Sequence, residues 1–261
     1  MARSIDPQPK AVRGFIPART DEERYLMRHI EDLARAAFSR EIARYSGFLS
    51  DREQDLARAA LGRADIEEGF RFEGGWPQAE RRILCLEPEY SYGENPIRCV
   101  RLQCRALPGA ALPAHKDYLG SLMGLELKRE ALGDIVLPED QPGTAYVFAL
   151  EPAAQLICRE LFQAGHTELT TELLEPDEIP SFPQARRELR SATVSSLRLD
   201  AVLAAMLRCS RGQACELIAA GRVEINHLPA EKPHAPVYEG DVFTVRGKGR
   251  FGLTALPGKS K

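Results

Sequence analysis

Nowhere does this chain run eighteen apolar residues together, and its first twenty residues hold Pro7, Pro9, Pro17 and scattered charges where an export signal would be continuous and apolar. A helix crossing a bilayer needs about 20 such residues, so the expectation is a cytoplasmic protein with no membrane partner. The six cysteines, at positions 85, 99, 104, 158, 209 and 215, make no C-x-x-C pair and have no histidine at ligand spacing. That pattern argues for buried free thiols over a metal site. A G-x-S-x-G nucleophile turn is missing as well. One G-x-G-x-x-G match exists, Gly247-Lys248-Gly249-Arg250-Phe251-Gly252, and it follows a predicted strand. A dinucleotide site needs a helix directly after it to receive the pyrophosphate, and the chain reaches Pro257 without one. No cofactor, metal or catalytic residue is therefore expected.

Positive charge is also scarce, since the formal net charge is −3 over 261 residues. The deficit is uneven. Residues 181–261 carry thirteen Lys+Arg against seven Asp+Glu, a local +6 that leaves −9 on residues 1–180. A basic footprint confined to one end is what a nucleic-acid binder of acidic overall composition would show. The length favours two or three compact units.

The basic end has a clear pattern. Leu199, Val202, Leu203, Met206 and Leu207 recur at helical spacing after Arg198-Leu199-Asp200. Ser210 is placed to cap a second helix with Ala214, Leu217 and Ile218 buried and Gly221 just past its end. Beyond it the period falls to two at Val223 and Ile225, and Val242, Phe243 and Val245 form another strand-like run. Arg198, Arg208 and Arg211 cluster at the helix starts and the corner, with Gln213 one turn on, Arg222 at the start of the sheet, and Arg246, Lys248 and Arg250 at its end. Guanidinium forks and the positive end of a helix both suit phosphate oxygens. A solvated basic face would use the same residues.

The set Arg198-Leu199-Asp200, Ser210-Arg211-Gly212-Gln213-Ala214, the run from Leu217 to Val223, Asn226 and Gly240-Asp241-Val242 resembles the S-four domain, an RNA-binding module named for a ribosomal protein. The resemblance implies two helices docked on structured RNA, with Arg198, Arg208, Ser210, Arg211 and Gln213 at the contact surface and Asp200 bracing the helix start. Where the hairpin of that family commonly has Asn-Gly this chain has Asn226-His227, so another turn geometry is expected there.

Upstream, residues 1–19 read as a flexible arm. Thr20-Asp21-Glu22-Glu23 is a capping box, and the stripe Leu26, Ile30, Leu33, Ala37, Phe38, Ile42 and Tyr45 predicts one long helix. Ser50-Asp51-Arg52-Glu53 caps a second, ending at Gly62, so residues 20–69 are expected to be helical. From Phe70 the texture alternates. Strands are predicted at 70–73, 83–86, 97–105, 134–137, 144–150 and 166–174, with helices over 117–132, broken near Gly124, and 152–164. The order fits an antiparallel sheet covered by helices, like the split βαβ arrangement of small RNA-binding domains. The class is thus α+β: a helical region at 20–69, a central α/β domain at 70–180, a linker at 181–196 and the S-four-like domain at 197–261.

In the central stretch His115 and Lys116 precede a helix, and Lys128 and Arg129 precede the Gly133-Asp134 turn, a possible second RNA-facing patch or a plain solvated face. Asp117 is expected to cap the helix and Asp134 to shape the turn. Trp76, beside Gly75 and Pro77, reads as a packing anchor. The segments Gly74-Gly75-Trp76, Ala79-Glu80-Arg81, His115 to Leu125, Lys128-Arg129-Glu130, Gly133-Asp134-Ile135 and Arg246 to Phe251 resemble the YlmH family of bacterial RNA-binding proteins. That resemblance implies a non-catalytic factor of ribosome-associated quality control, bound to ribosomal RNA on the large subunit with its peptidyl-tRNA, and acting as a monomer. An association with cell division is the lesser implication. The competing class is an RNA-modifying enzyme, because S-four modules also occur fused to pseudouridine synthases and methyltransferases.

Overall fold

The computed structural model describes residues 18, 20–105, 111–183, 189–226 and 228–254. Most of the arm expected over residues 1–19, positions 184–188 of the expected linker and His227 with its turn lie outside the described residues. The chain falls into two compact units that meet in sequence at residues 185 and 186.

The first unit opens with α1 (Asp21–Arg40), whose first turn is capped by the Thr20 hydroxyl accepting from the Glu23 N–H at 3.2 Å. Met27, Ile30, Ala34 and Ala37 form its buried face. The helix does not extend to Ile42 and Tyr45. Glu41 turns left-handed, at φ 51°, and the chain leaves as strand β1 (Arg44–Leu49). Tyr-Ser-Gly-Phe-Leu is aromatic and interrupted by glycine, which favours a pleated strand over a helix. Gly47 is required there, because a Cβ would lie 2.8 Å from that of Glu130. Helix α2 (Asp51–Arg63) follows, with the expected reciprocal cap between Ser50 and Glu53.

Strands β2 (Phe70–Glu73) and β3 (Arg82–Leu86) complete a three-stranded antiparallel sheet in the order β1-β3-β2, so residues 44–49 and 70–86 share one sheet. The period of two in β3 then sorts its side chains. Leu84 and Leu86 pack under α1 and α2, while Ile83 and Cys85 face a second sheet.

That second sheet is built from β4 (Ile97–Cys104), α3 (His115–Gly124), β5 (Leu132–Val136), β6 (Thr144–Leu150), α4 (Glu151–Glu160), β7 (Gln163–Ala164) and β8 (Thr167–Leu174), in the order β5-β6-β4-β8-β7, all antiparallel. Leaving out the two-residue β7, this is the split βαβ arrangement. Cys99, Tyr146 and Phe148 meet the first sheet, and Val100, Leu102 and Val147 meet Tyr118, Leu122 and Ile157 of the helices. The unit is four layers: helices, sheet, sheet, helices. Both predicted helices are shorter than their apolar runs. The first stops at Gly124 and resumes only as a 3-10 turn, Arg129–Ala131, and the second yields to the β7–β8 hairpin, where Gly165 adopts φ 59°.

The second unit holds α5 (Leu199–Leu207), α6 (Arg211–Ala219), β9 (Val223–Ile225), β10 (Leu228–Pro229), β11 (Val242–Val245) and β12 (Gly249–Gly252). The sheet order is β10-β9-β11-β12. Leu199, Leu203, Ala214, Ile218, Val223, Phe243 and Val245 form one core. The glycine-rich segment expected as a loop is a hairpin, since Val245 pairs with Gly249 and Val242 with Gly252. Gly247 and Gly249 supply the positive φ, 78° and 109°, that this turn requires. The fold is α+β throughout.

Candidate nucleic-acid interface

The second unit gathers its cations in two groups. In the first, Arg198 is the residue before α5 and Arg211 is the first of α6, and both reach Asp200. Arg198 donates through Nε to Oδ1 and through Nη2 to Oδ2, each at 3.1 Å, and Arg211 donates through Nη2 to the same Oδ2 at 2.7 Å. The Asp200 side chain is 6% exposed while the two arginines are 46% and 50% exposed. Burial alone would raise the Asp200 pKa, yet the hydrogen bonds and charges of Arg211 and Arg198 hold it below the usual aspartate value. A buried carboxylate thus anchors two guanidinium groups that still face water.

The two helix starts differ, and this corrects the expectation that both offer free backbone donors. At α5 the Leu199 N–H donates to Ala235 O at 2.9 Å, the Asp200 N–H to Pro233 O at 2.8 Å, and the Ala201 N–H to Asp200 Oδ1 at 2.9 Å. Segment 233–235 has closed that end. At α6 the Ser210 hydroxyl accepts from the Gln213 N–H and the Gln213 side chain accepts from the Ser210 N–H, so both side chains cap the helix. The N–H groups of Arg211 and Gly212 find no protein acceptor among the described residues. Arg208 occupies the corner between the helices in the left-handed region, φ 53° and ψ 47°.

The second group lies on the sheet. Arg222 donates through Nη2 to Arg246 O at 2.8 Å and so ties the start of β9 to the β11–β12 turn, which carries exposed Lys248 and Arg250. Beside it, Asn226 in the left-handed region donates to buried Asp241 and accepts from the Val242 N–H, fixing how the chain enters β11.

In the first unit, His115 and Lys116 are exposed on the first turn of α3, and Asp117 accepts from the Ala114 N–H, the cap expected of it. Lys128 and Arg129 are exposed beyond the other end of that helix. Ten helical residues span about 15 Å, so the four cations do not form one cluster. Residues the sequence reading had passed over organise the neighbourhood of Arg129. Arg81 donates to the carbonyls of Leu132, Phe48 and Arg129, and burial, followed by the nearby Arg129 charge, lowers its pKa. Asp134 does not merely shape a turn. It accepts from Trp76 Nε1, the Glu80 N–H and the Arg81 N–H. The six cysteines are free thiols, with burial pushing Cys85 up to about 11 and Cys99 to about 12.

Two short helices meeting at an arginine corner and backed by a four-stranded sheet define an S4-domain protein, and the family model for the S4 domain matches residues 197–243. The chain therefore carries an RNA-binding module at this end. Over 215 residues it is also 37% identical to the ribosome-associated protein quality control protein P2 of Bacillus subtilis (strain 168), covering 82% of this chain and 81% of that one. The protein belongs to that family, the YlmH family. Among solved structures, the cell division protein ylmH from Streptococcus pneumoniae aligns over 64% of this chain and 100% of its own at 14% identity, with a TM-score of 0.49.

Proposed function

We propose that this protein binds ribosomal RNA on the large ribosomal subunit, together with peptidyl-tRNA, and serves without catalysis in quality control of stalled nascent chains. The observation that carries the RNA-binding part is the exposed Arg198–Arg211 pair on buried Asp200, beside the open start of α6. Guanidinium groups and unpaired helix N–H groups are donors without acceptors, which matches phosphate. The quality-control part is supported by the relative whose name states that role. Lys248 and Arg250 on the hairpin extend the same contact, and Arg222 supports that hairpin through Arg246. Ser210 and Gln213 contribute by shaping the start of α6. His115 with Lys116, and Lys128 with Arg129, are two separate secondary contacts.

The test replaces Arg198 and Arg211 together with alanine in the full chain and measures binding to purified large subunits across a salt series. Affinity should fall about 10- to 100-fold, and the dependence of log affinity on log salt should flatten by about 1.5 units, as expected for two lost phosphate contacts. Unchanged affinity and slope would remove the proposed face. Gradient sedimentation from cells with stalled translation tests the rest. The protein should travel with free large subunits that retain peptidyl-tRNA, and its appearance only with whole ribosomes would contradict the assignment.

A further inference from the structure

We infer that Asp200 is a positioning residue for RNA, holding Arg198 and Arg211 convergent so that the pair grips a single backbone phosphate. This rests on the RNA-binding reading above and assigns to that face the unit it recognises. Oδ2 of Asp200 accepts from Nη2 of both arginines, at 3.1 and 2.7 Å, so those two nitrogens cannot lie farther apart than the two bonds laid end to end. Oδ1 is occupied by Arg198 Nε and the Ala201 N–H, and the Asp200 N–H by Pro233 O. The carboxylate is therefore saturated by groups that fix it in place. Each guanidinium carries five N–H donors, most of which remain for a ligand. Two cations around one anion leave a single positive charge, which a phosphodiester neutralises. A free arginine loses about 2 kcal/mol of rotamer freedom when it is immobilised. Here the fold has already restricted both side chains before RNA arrives.

Coulomb attraction and positioning make opposite predictions, which gives the test its power. Removing a carboxylate beside a phosphate site should strengthen RNA binding if Asp200 acts only through its charge. If it positions the arginines, removal should weaken binding. Asp200→Asn keeps the shape of the side chain and an oxygen for the Ala201 N–H while breaking the ion pairs. In the folded full chain, affinity for deproteinised large-subunit RNA should fall about 5- to 20-fold and the salt slope should shrink. Adding the same change to the Arg198→Ala, Arg211→Ala variant should do nothing further. A rise in affinity, or none, with the double arginine variant still impaired, overturns the positioning role and leaves the RNA-binding reading intact. No effect from the arginine variant overturns both. A readout independent of the variant's folding is nitrogen NMR of the unaltered protein without RNA. Arg198 and Arg211 should show hindered rotation, with separate Nη signals, and averaged signals would overturn the inference.

Discussion

The indole N–H of Trp76 donates to Asp134 Oδ2 at 3.0 Å, joining residues 58 positions apart in the chain. Asp134 sits where β5 slips register between Leu132 and Ile135, and its two oxygens also accept from the Glu80 N–H at 2.8 Å and the Arg81 N–H at 3.1 Å. The slip lets one carboxylate in a strand face a loop rather than the neighbouring strand. Trp76 is thereby held over Phe148, with ring centroids 6.5 Å apart, and edge-on to Phe182 at 5.5 Å.

Asp134→Ala should therefore lower stability by about 2–4 kcal/mol, because it strands three donors, two of them backbone groups, that had shared a charged acceptor. Trp76 is the only tryptophan, so its emission reports the site directly. A red shift should accompany the loss of stability in a denaturant titration. Binding of RNA by the second unit should keep its salt slope. A variant with unshifted emission and native stability would show that the clamp is replaceable by water.

Ser210 offers a cleaner separation of capping from contact. Its hydroxyl accepts from the Gln213 N–H at 3.2 Å in a reciprocal cap. Ser210→Ala should cost about 1 kcal/mol of helix stability, visible as a lower melting temperature. At temperatures where the unit stays folded, RNA affinity should drop no more than about twofold and the salt slope should be unaltered, since no charge is lost. A larger loss without unfolding would make the hydroxyl itself a ligand for RNA.

How far these relationships could be read in advance depends on their range along the chain. The helix pair was legible because its signals are local: the Val202 and Leu203 stripe, the Ser210 cap and Gly221, which takes φ 64°. The alternating order of strands and helices from residue 97 to 174 was legible for the same reason, and it implied the split βαβ sheet. Strand β1 was not. Ala37, Ile42 and Tyr45 suit a helical stripe, and the residue that ends the helix is Glu41, a left-handed glutamate that gives no glycine signal. The arginines were visible as charges, but their roles were not. Arg211 and Asp200 are eleven residues apart, Arg222 and Arg246 twenty-four, and only the folded chain shows that the first pair faces solvent while the second is engaged in holding a hairpin. Asp134 lacked any cue, because its partners lie more than fifty residues upstream.

Arg208 carries the last prediction, in which stability and function should move in opposite directions. It ends α5 at φ 53° and ψ 47°, a conformation that glycine adopts freely and that costs other residues about 1–2 kcal/mol. The corner needs that geometry, since the next N–H, of Cys209, turns back to Ala204 O at 3.0 Å and brings Ser210 to the start of α6. Strain of this kind persists where something other than stability favours the side chain. Arg208→Gly should raise stability by up to about 1 kcal/mol and weaken RNA binding several-fold, with a salt slope smaller by about one unit. Arg208→Ala should weaken binding equally without the gain in stability, because alanine meets the same steric cost. The comparison is made by denaturant titration of the two variants beside a salt series for each. If Arg208→Gly is more stable and binds RNA as well as the unaltered chain, the corner arginine is not a contact, and the interface contracts to Arg198, Arg211 and the start of α6.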